Sequence, residues 1–309
     1  MPRVYDCKCK NNRGLTKTVG LFFIKNMIRI AIQSKGRLNE ESLELLKDSG
    51  VTVDNQKRKF LGRAANYPLE VLYLRDDDIP EVVADGSADI GIVGLNEVEE
   101  KGVAVEIVRQ LGFGSCRVSL AVPKDAEYSG LEWFQGKIIA TSYPNILKRF
   151  LSEKGISASV RTIMGSVEIA PAAGIADAIF DIVSSGGTLI SNGLVEVERV
   201  LYSQAVLIAN PSMREEKRAL LDSLLFRIDA VGSSRGKKYI LMNIPSDKVE
   251  EAINILPAMR SPTVMPLAAS GWSSLHSVVE ESELWDKVEK LKALGAEGIL
   301  ILQLDKVIA

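Results

Sequence analysis

The sequence is short of the residues that ordinarily build metal and redox centres. It has one histidine, His276, and three cysteines, Cys7, Cys9 and Cys116, in 309 residues. An odd, scattered cysteine set supplies neither a disulfide framework nor a four-ligand zinc site, so a reducing, cytoplasmic compartment is expected. Any metal is then a hard cation held by oxygens and substrate phosphates, and magnesium fits that description. No run reaches the roughly 18 apolar residues of a membrane span. Neither charge sign dominates, with 38 basic and 40 acidic residues and a net charge of -2. That balance argues against a nucleic-acid partner and for a pocket in which a few well-placed groups hold any phosphate-bearing ligand.

What is present is an ordinary globular composition, 46% hydrophobic and 25% charged, at a length that predicts two or three cores. Residues 1–26 stand apart, with Arg3, Lys8, Lys10, Arg13, Lys17 and Lys25 against the single acid Asp6. Such a stretch is either an organellar transit peptide or a disordered leader or misplaced start. Its poverty in serine and lack of an amphipathic period favour the second, with folding beginning at Met27.

From there, β-branched runs alternate with helical ones: Ile28–Gln33, Asn39–Ser49, Leu69–Leu74, Ile79–Asp85 and Asp89–Val93. A second cycle takes in Arg117–Val122, Lys137–Thr141, the helix Asn145–Lys154, and runs at Ser159–Ile163, Ala172–Ala176 and Ala178–Val183. Alternation of this kind predicts α/β architecture. The strand Ala205–Asn210 and the helix Met213–Ala230 are expected to cross back to the first lobe, leaving a cleft between two lobes where a ligand would sit. After the Gly232–Gly236 punctuation, a third unit reads strand, helix, strand, strand, helix, strand, the order of a ferredoxin-like βαββαβ module. The expected divisions are 27–116 with 205–236, then 117–204, then 237–309.

The most informative stretch is Asp181-Ile-Val-Ser-Ser-Gly-Gly-Thr188. A strand ending in Ile182-Val183 runs into a turn whose backbone N–H groups and hydroxyls suit a phosphate, with two glycines allowing close approach. Read alone, it is equally an ordinary glycine turn. Its context is GSVEIAPAAGIADAIFDIVSSGGTLISNGL, from Gly165 to Leu194, and elsewhere the chain carries IAIQSKGRL, RDDDIP, DIGIVG, CRVSLAVP and IATSYPNILKRFL. Together these resemble the ATP phosphoribosyltransferases of histidine biosynthesis, in the long form, over everything from about Met27 onward.

The resemblance implies a two-lobed, periplasmic-binding-protein-like catalytic core with a C-terminal ferredoxin-like regulatory domain. It implies transfer of the phosphoribosyl group of phosphoribosyl pyrophosphate to N1 of ATP. Ser184, Ser185, Gly186, Gly187 and Thr188 would hold the 5-phosphate, and Glu168 and Asp181 would face the ribose. Arg37, at a strand-to-helix turn with Lys35, would meet pyrophosphate through its planar fork. Arg75 and Gly94 would line the nucleotide side, while the aspartates at 76–78 would supply at least one helix cap. At Thr141-Ser142-Tyr143-Pro144, amides ahead of a helix would meet an anion, and Tyr143 would either lie on a base or sugar or simply pack. Magnesium would arrive on substrate phosphates without assigned protein ligands.

Met259–Leu267 resembles the family's histidine-binding segment, with Thr263 as its test residue, and His276 is expected to serve structure or an interface. Homo-oligomers, dimer and hexamer, are implied as partners. The competing expectations are a two-lobed binding protein for a small anion without turnover, and an inactive histidine-sensing paralogue.

Overall fold

A computed structural model describes residues 27–54, 60–256 and 261–308, so the basic leader lies outside the described residues. Three sheets organise the chain. In the first, β1 (Ile28–Gln33), β3 (Leu69–Leu74) and β4 (Ile90–Gly94) run parallel. Their nearly continuous apolar sequences are those of strands buried on both faces. The exception, Arg29, pairs with Glu70 at 2.7 Å.

β2 (Leu61–Arg63) lies antiparallel against β3, and β11 (Ala205–Ala209) lies antiparallel between β4 and β5 (Glu106–Gln110). The order β2-β3-β1-β4-β11-β5 thus places a late strand inside an early sheet. Ala31, Ile79, Val83, Val93, Val206 and Ile208 form its core.

The second sheet has the order β10-β6-β9-β7-β8, built from β6 (Cys116–Pro123), β7 (Ile138–Thr141), β8 (Ser159–Thr162), β9 (Ala178–Val183) and β10 (Leu194–Ser203). Helix Pro144–Lys154 packs on it through Ile146, Leu147, Phe150 and Leu151, against Leu120, Ile139 and Phe180. The pair of lobes is the two-lobed, periplasmic-binding-protein-like arrangement.

The third sheet, β13-β14-β12-β15, comprises β12 (Lys237–Pro245), β13 (Thr263–Pro266), β14 (Trp272–Glu280) and β15 (Glu297–Gln303), all antiparallel to their neighbours. Helices Val249–Ile255 and Leu284–Ala293 cover one face through Ala252, Leu284 and Leu291 over Ile240, Met242 and Leu275. This is the ferredoxin-like topology. The chain divides into two compact units near Asp222, the first holding both lobes and the second the small sheet.

Several elements depart from the sequence expectation. Ala172–Ala176 is turn structure, opened by Pro171 and containing Gly174 at φ +66°. Helix Leu95–Lys101 and the ten-residue β10 were not anticipated.

Candidate functional site

Open α/β sheets present ligands at the carboxyl ends of their strands. A pocket of about 260 Å³ sits at such ends, lined by Gln33 ending β1, Gly94 ending β4 and Ser184 just after β9, with Arg37, Asp76 and Glu97 around them. It therefore draws on both lobes of the first unit.

Arg37 opens helix Arg37–Asp48, after a turn in which Gly36 takes φ +94° and Asn39 Nδ2 donates to the carbonyl of Gln33 at 2.5 Å. The Arg37 side chain is 68% exposed and pairs with Glu41 at 3.4 Å, a solvent-facing pair of little energetic weight. Lys35 is exposed in the same turn, outside the pocket lining.

The 184–188 turn is open rather than buried. Ser184, Ser185, Gly187 and Thr188 are exposed, and Gly186 adopts φ +84°, a left-handed conformation that suits glycine. Ser185 Oγ accepts from the Gly187 amide at 3.4 Å, and Ser184 itself lines the pocket. Asp181 is half-buried and accepts from the Ile182 amide at 2.8 Å. Burial pushes its carboxyl up to about 6; that amide bond opposes the shift, and the charge of Glu168 adds to it. Glu168 lies in the turn Val167–Ile169, behind Gly165 at φ +83° and Ser166 at φ +49°. Ser166 is the only non-glycine residue at positive φ among the described residues, so this approach to Glu168 is locally strained.

Gly94 also lines the pocket, and a Cβ there would collide with Asn96 Oδ1. Arg75 is exposed and paired with Asp77 at 3.0 Å. Asp76 accepts from Gln33 Nε2 at 3.3 Å. Neither helical start in 76–84 carries a side-chain cap bond, so the capping expectation for these aspartates is corrected.

Thr141 and Tyr143 are buried. Thr141 Oγ1 accepts from the Tyr143 amide at 2.7 Å, and the Tyr143 hydroxyl donates to Glu97 at 2.9 Å. Of the amides expected to meet an anion, that of Tyr143 is therefore occupied by Thr141, and just beyond them Asn145 and Ile146 both donate to Glu100, each at 2.9 Å at closest. The negative charge favoured at that helix start is a side chain of the other lobe.

Glu97 is the residue that sequence reasoning missed. It lines the pocket, is only 6% exposed, and its carboxyl is pushed up to about 7 by burial, opposed by the Tyr143 hydroxyl and reinforced by Asp76, Asp77 and Glu100. Within Asn96-Glu97-Val98-Glu99-Glu100 it reads as part of a solvated helix face, whereas in the fold it is buried and accepts from the Tyr143 hydroxyl of the other lobe.

Thr263 is exposed on β13, in register with His276. His276 is half-buried, with Nδ1 2.9 Å from the Tyr239 hydroxyl and Nε2 3.0 Å from Ser274 Oγ. Met259 and Arg260 lie outside the described residues. Among the described residues no group of three or more His, Cys, Asp or Glu is placed to hold a metal, and no helix is long and apolar enough to cross a membrane.

Residues 75–230 match the family HisG, ATP phosphoribosyltransferase, and residues 234–306 match the HisG C-terminal domain. The chain is 57% identical over 282 residues to an ATP phosphoribosyltransferase of Bacteroides fragilis, covering 91% of this chain and 100% of the relative. An ATP phosphoribosyltransferase of Cytophaga hutchinsonii is 54% identical over 285 residues, covering 92% and 100% respectively. Among solved structures, the ATP phosphoribosyl transferase (HisG:HisZ) complex from Thermotoga maritima is similar at a TM-score of 0.58 and 30% identity. That likeness covers 66% of this chain and 96% of the other.

Proposed function

The chain belongs to the ATP phosphoribosyltransferase family, and we propose that it joins ATP to phosphoribosyl pyrophosphate in the first step of histidine biosynthesis. The observation that carries this reading at the level of residues is one pocket receiving both Arg37 and Ser184. In this reading Ser184, Ser185, Gly186, Gly187 and Thr188 grip the 5-phosphate through amides and hydroxyls. N1 of adenine attacks the anomeric carbon as the bond to pyrophosphate breaks, and positive charge develops on the sugar. Asp181 and Glu168, held near each other, stabilise that charge and address the ribose hydroxyls.

Arg37 receives pyrophosphate with its bidentate fork. Magnesium enters with the substrate phosphates and neutralises their charge. Gly94 allows close approach of the nucleotide, with Lys35 and Arg75 supplying positive charge at its rim. Thr141 and Tyr143 serve the ATP side indirectly, by holding Glu97 and the lobe contact behind the pocket.

The second unit is assigned feedback inhibition by histidine, with Thr263 in the binding segment. Homo-oligomers, dimer and hexamer, are proposed as the states that histidine distinguishes, since inhibition requires different affinity for two states. The proposed compartment is the cytoplasm. A turnover-free binding protein is not favoured, because relatives matched over their full length are transferases by name. The test is pyrophosphate release from ATP, phosphoribosyl pyrophosphate and magnesium, measured with and without histidine. Absence of release in a folded preparation rejects the activity, and release indifferent to histidine rejects the regulatory half.

A further inference from the structure

The 184–188 turn is tied to the neighbouring strand as well as to itself. Directly opposite its approach, in register with Val183, stands Arg117 on β6. The guanidinium places Nη1 2.9 Å from the Ser184 carbonyl oxygen, at the first residue of the turn. Its other side is locked onto Glu196 of β10, with Nε to Oε1 at 2.5 Å and Nη2 to Oε2 at 2.6 Å. Glu196 is itself held by Ser119 Oγ at 2.9 Å and Arg199 Nε at 3.1 Å. Register alone would put Glu196 opposite Ala121, four residues along β6 from Arg117. Irregularities between Glu196 and Glu198, and again between Arg199 and Leu201, interrupt the ladder beside it. Bulges of this kind re-aim side chains next to functional sites.

The chemistry of the pair decides what it does. The carboxylate of Glu196 is held down to about 2 by the Arg117 hydrogen bonds, so the pair stays ionised across any working pH. Arg117 and Glu196 side chains are 21% and 16% exposed, which favours one geometry over a fluctuating surface contact. With its charge matched by Glu196 and a third donor on a carbonyl, Arg117 is committed to the protein and is not a free cation for phosphate.

We propose that the Arg117–Glu196 pair is a positioning element that fixes the Ser184 carbonyl and thereby aims the amides and hydroxyls of the 184–188 turn at the sugar phosphate. This rests on the phosphate reading of that turn. A lysine at 117 keeps the charge and loses the fork, so it cannot hold both Glu196 and the carbonyl in one plane.

Steady-state kinetics on the full chain test it, with Arg117→Lys and, as the milder change, Glu196→Gln. Each is expected to raise KM for phosphoribosyl pyrophosphate about tenfold, the size of one charged hydrogen bond, while KM for ATP stays within about twofold, and the double variant should be little worse than either alone. Thr188→Val and Ser185→Ala probe the turn directly. If these two leave that KM unmoved, the phosphate reading of the turn fails. If they raise it and the Arg117 and Glu196 variants do not, the positioning role fails alone. Equal movement of both KM values, or a lowered Tm with unchanged kinetics, also overturns it.

Discussion

Asp181 and Glu97 are acids of the same lobe pair shifted in the same direction by burial, and each shift is read by a different measurement. In its proposed role Asp181 acts on positive charge only when ionised, and its carboxyl is raised to about 6. The acidic limb of kcat/KM should therefore fall as pH drops through about 6. Asp181→Asn should abolish that limb and lower kcat about 100-fold, the scale for losing one preorganised electrostatic contact. A limb that survives the substitution assigns it to another group.

Glu97 concerns stability. A carboxyl at about 7 in the fold and near 4.5 unfolded means the native state binds more protons between those values. Stability is then full below about 4.5 and declines as pH rises through about 7, by up to about 3 kcal/mol. Urea denaturation from pH 4.5 to 8 should show this decline, and Glu97→Gln, which still accepts from Tyr143, should flatten its upper part. Asp181 contributes in the same sense at the lower end.

Legibility differed for these two: Asp181 stands beside a glycine turn that any reading would inspect, whereas Glu97 sits among Glu99 and Glu100 in a pattern indistinguishable from a wet helix surface. Its environment comes from a tyrosine 46 positions away, and composition carries no trace of that.

Elements whose sequence matched their burial were readable. β1, β3, β4 and β9 are apolar runs because both faces are covered, and β9 places Phe180, fully buried, between sheet and helix. Phe180→Ala should cost about 3–5 kcal/mol by chemical denaturation, as removal of a large core ring does. A loss under about 1 kcal/mol would mean that this core is far looser than its packing indicates.

β10 was unreadable for the opposite reason. Val195-Glu196-Val197-Glu198 alternates as an edge strand should, but Arg199 directly after Glu198 interrupts the period of two on which strand recognition depends, and two register shifts fall in the same stretch. Helix Leu95–Lys101 is only seven residues long, and its clearest boundary, Gly102 in the left-handed conformation at φ +60°, is one of many glycines. The segment ahead of helix Pro144–Lys154 is expected from sequence to favour an anion. What sequence did not disclose is that Glu100 fills it.

For the molecule as a whole, a catalytic pair of lobes precedes a small sheet unit with its own core. Separate cores allow separate failure. Thr263→Ala should raise the histidine concentration needed for half-inhibition at least tenfold and leave uninhibited turnover within about twofold, since loss of a hydrogen-bonded ligand contact costs about that factor. Parallel loss of turnover would tie Thr263 to the catalytic lobes.

The chain's path adds a constraint on manufacture. β11 leaves the ribosome after the entire second lobe, yet it fills the slot between β4 and β5, both made much earlier. Until Ala209 emerges, β4 keeps an unpaired flank and β5 has no neighbour, whereas every strand of the inserted lobe is complete by Ser203. During translation the guest lobe is thus able to close before its host, and the interval between Gln110 and Ala205 is when the nascent protein is most open to wrong strand partners.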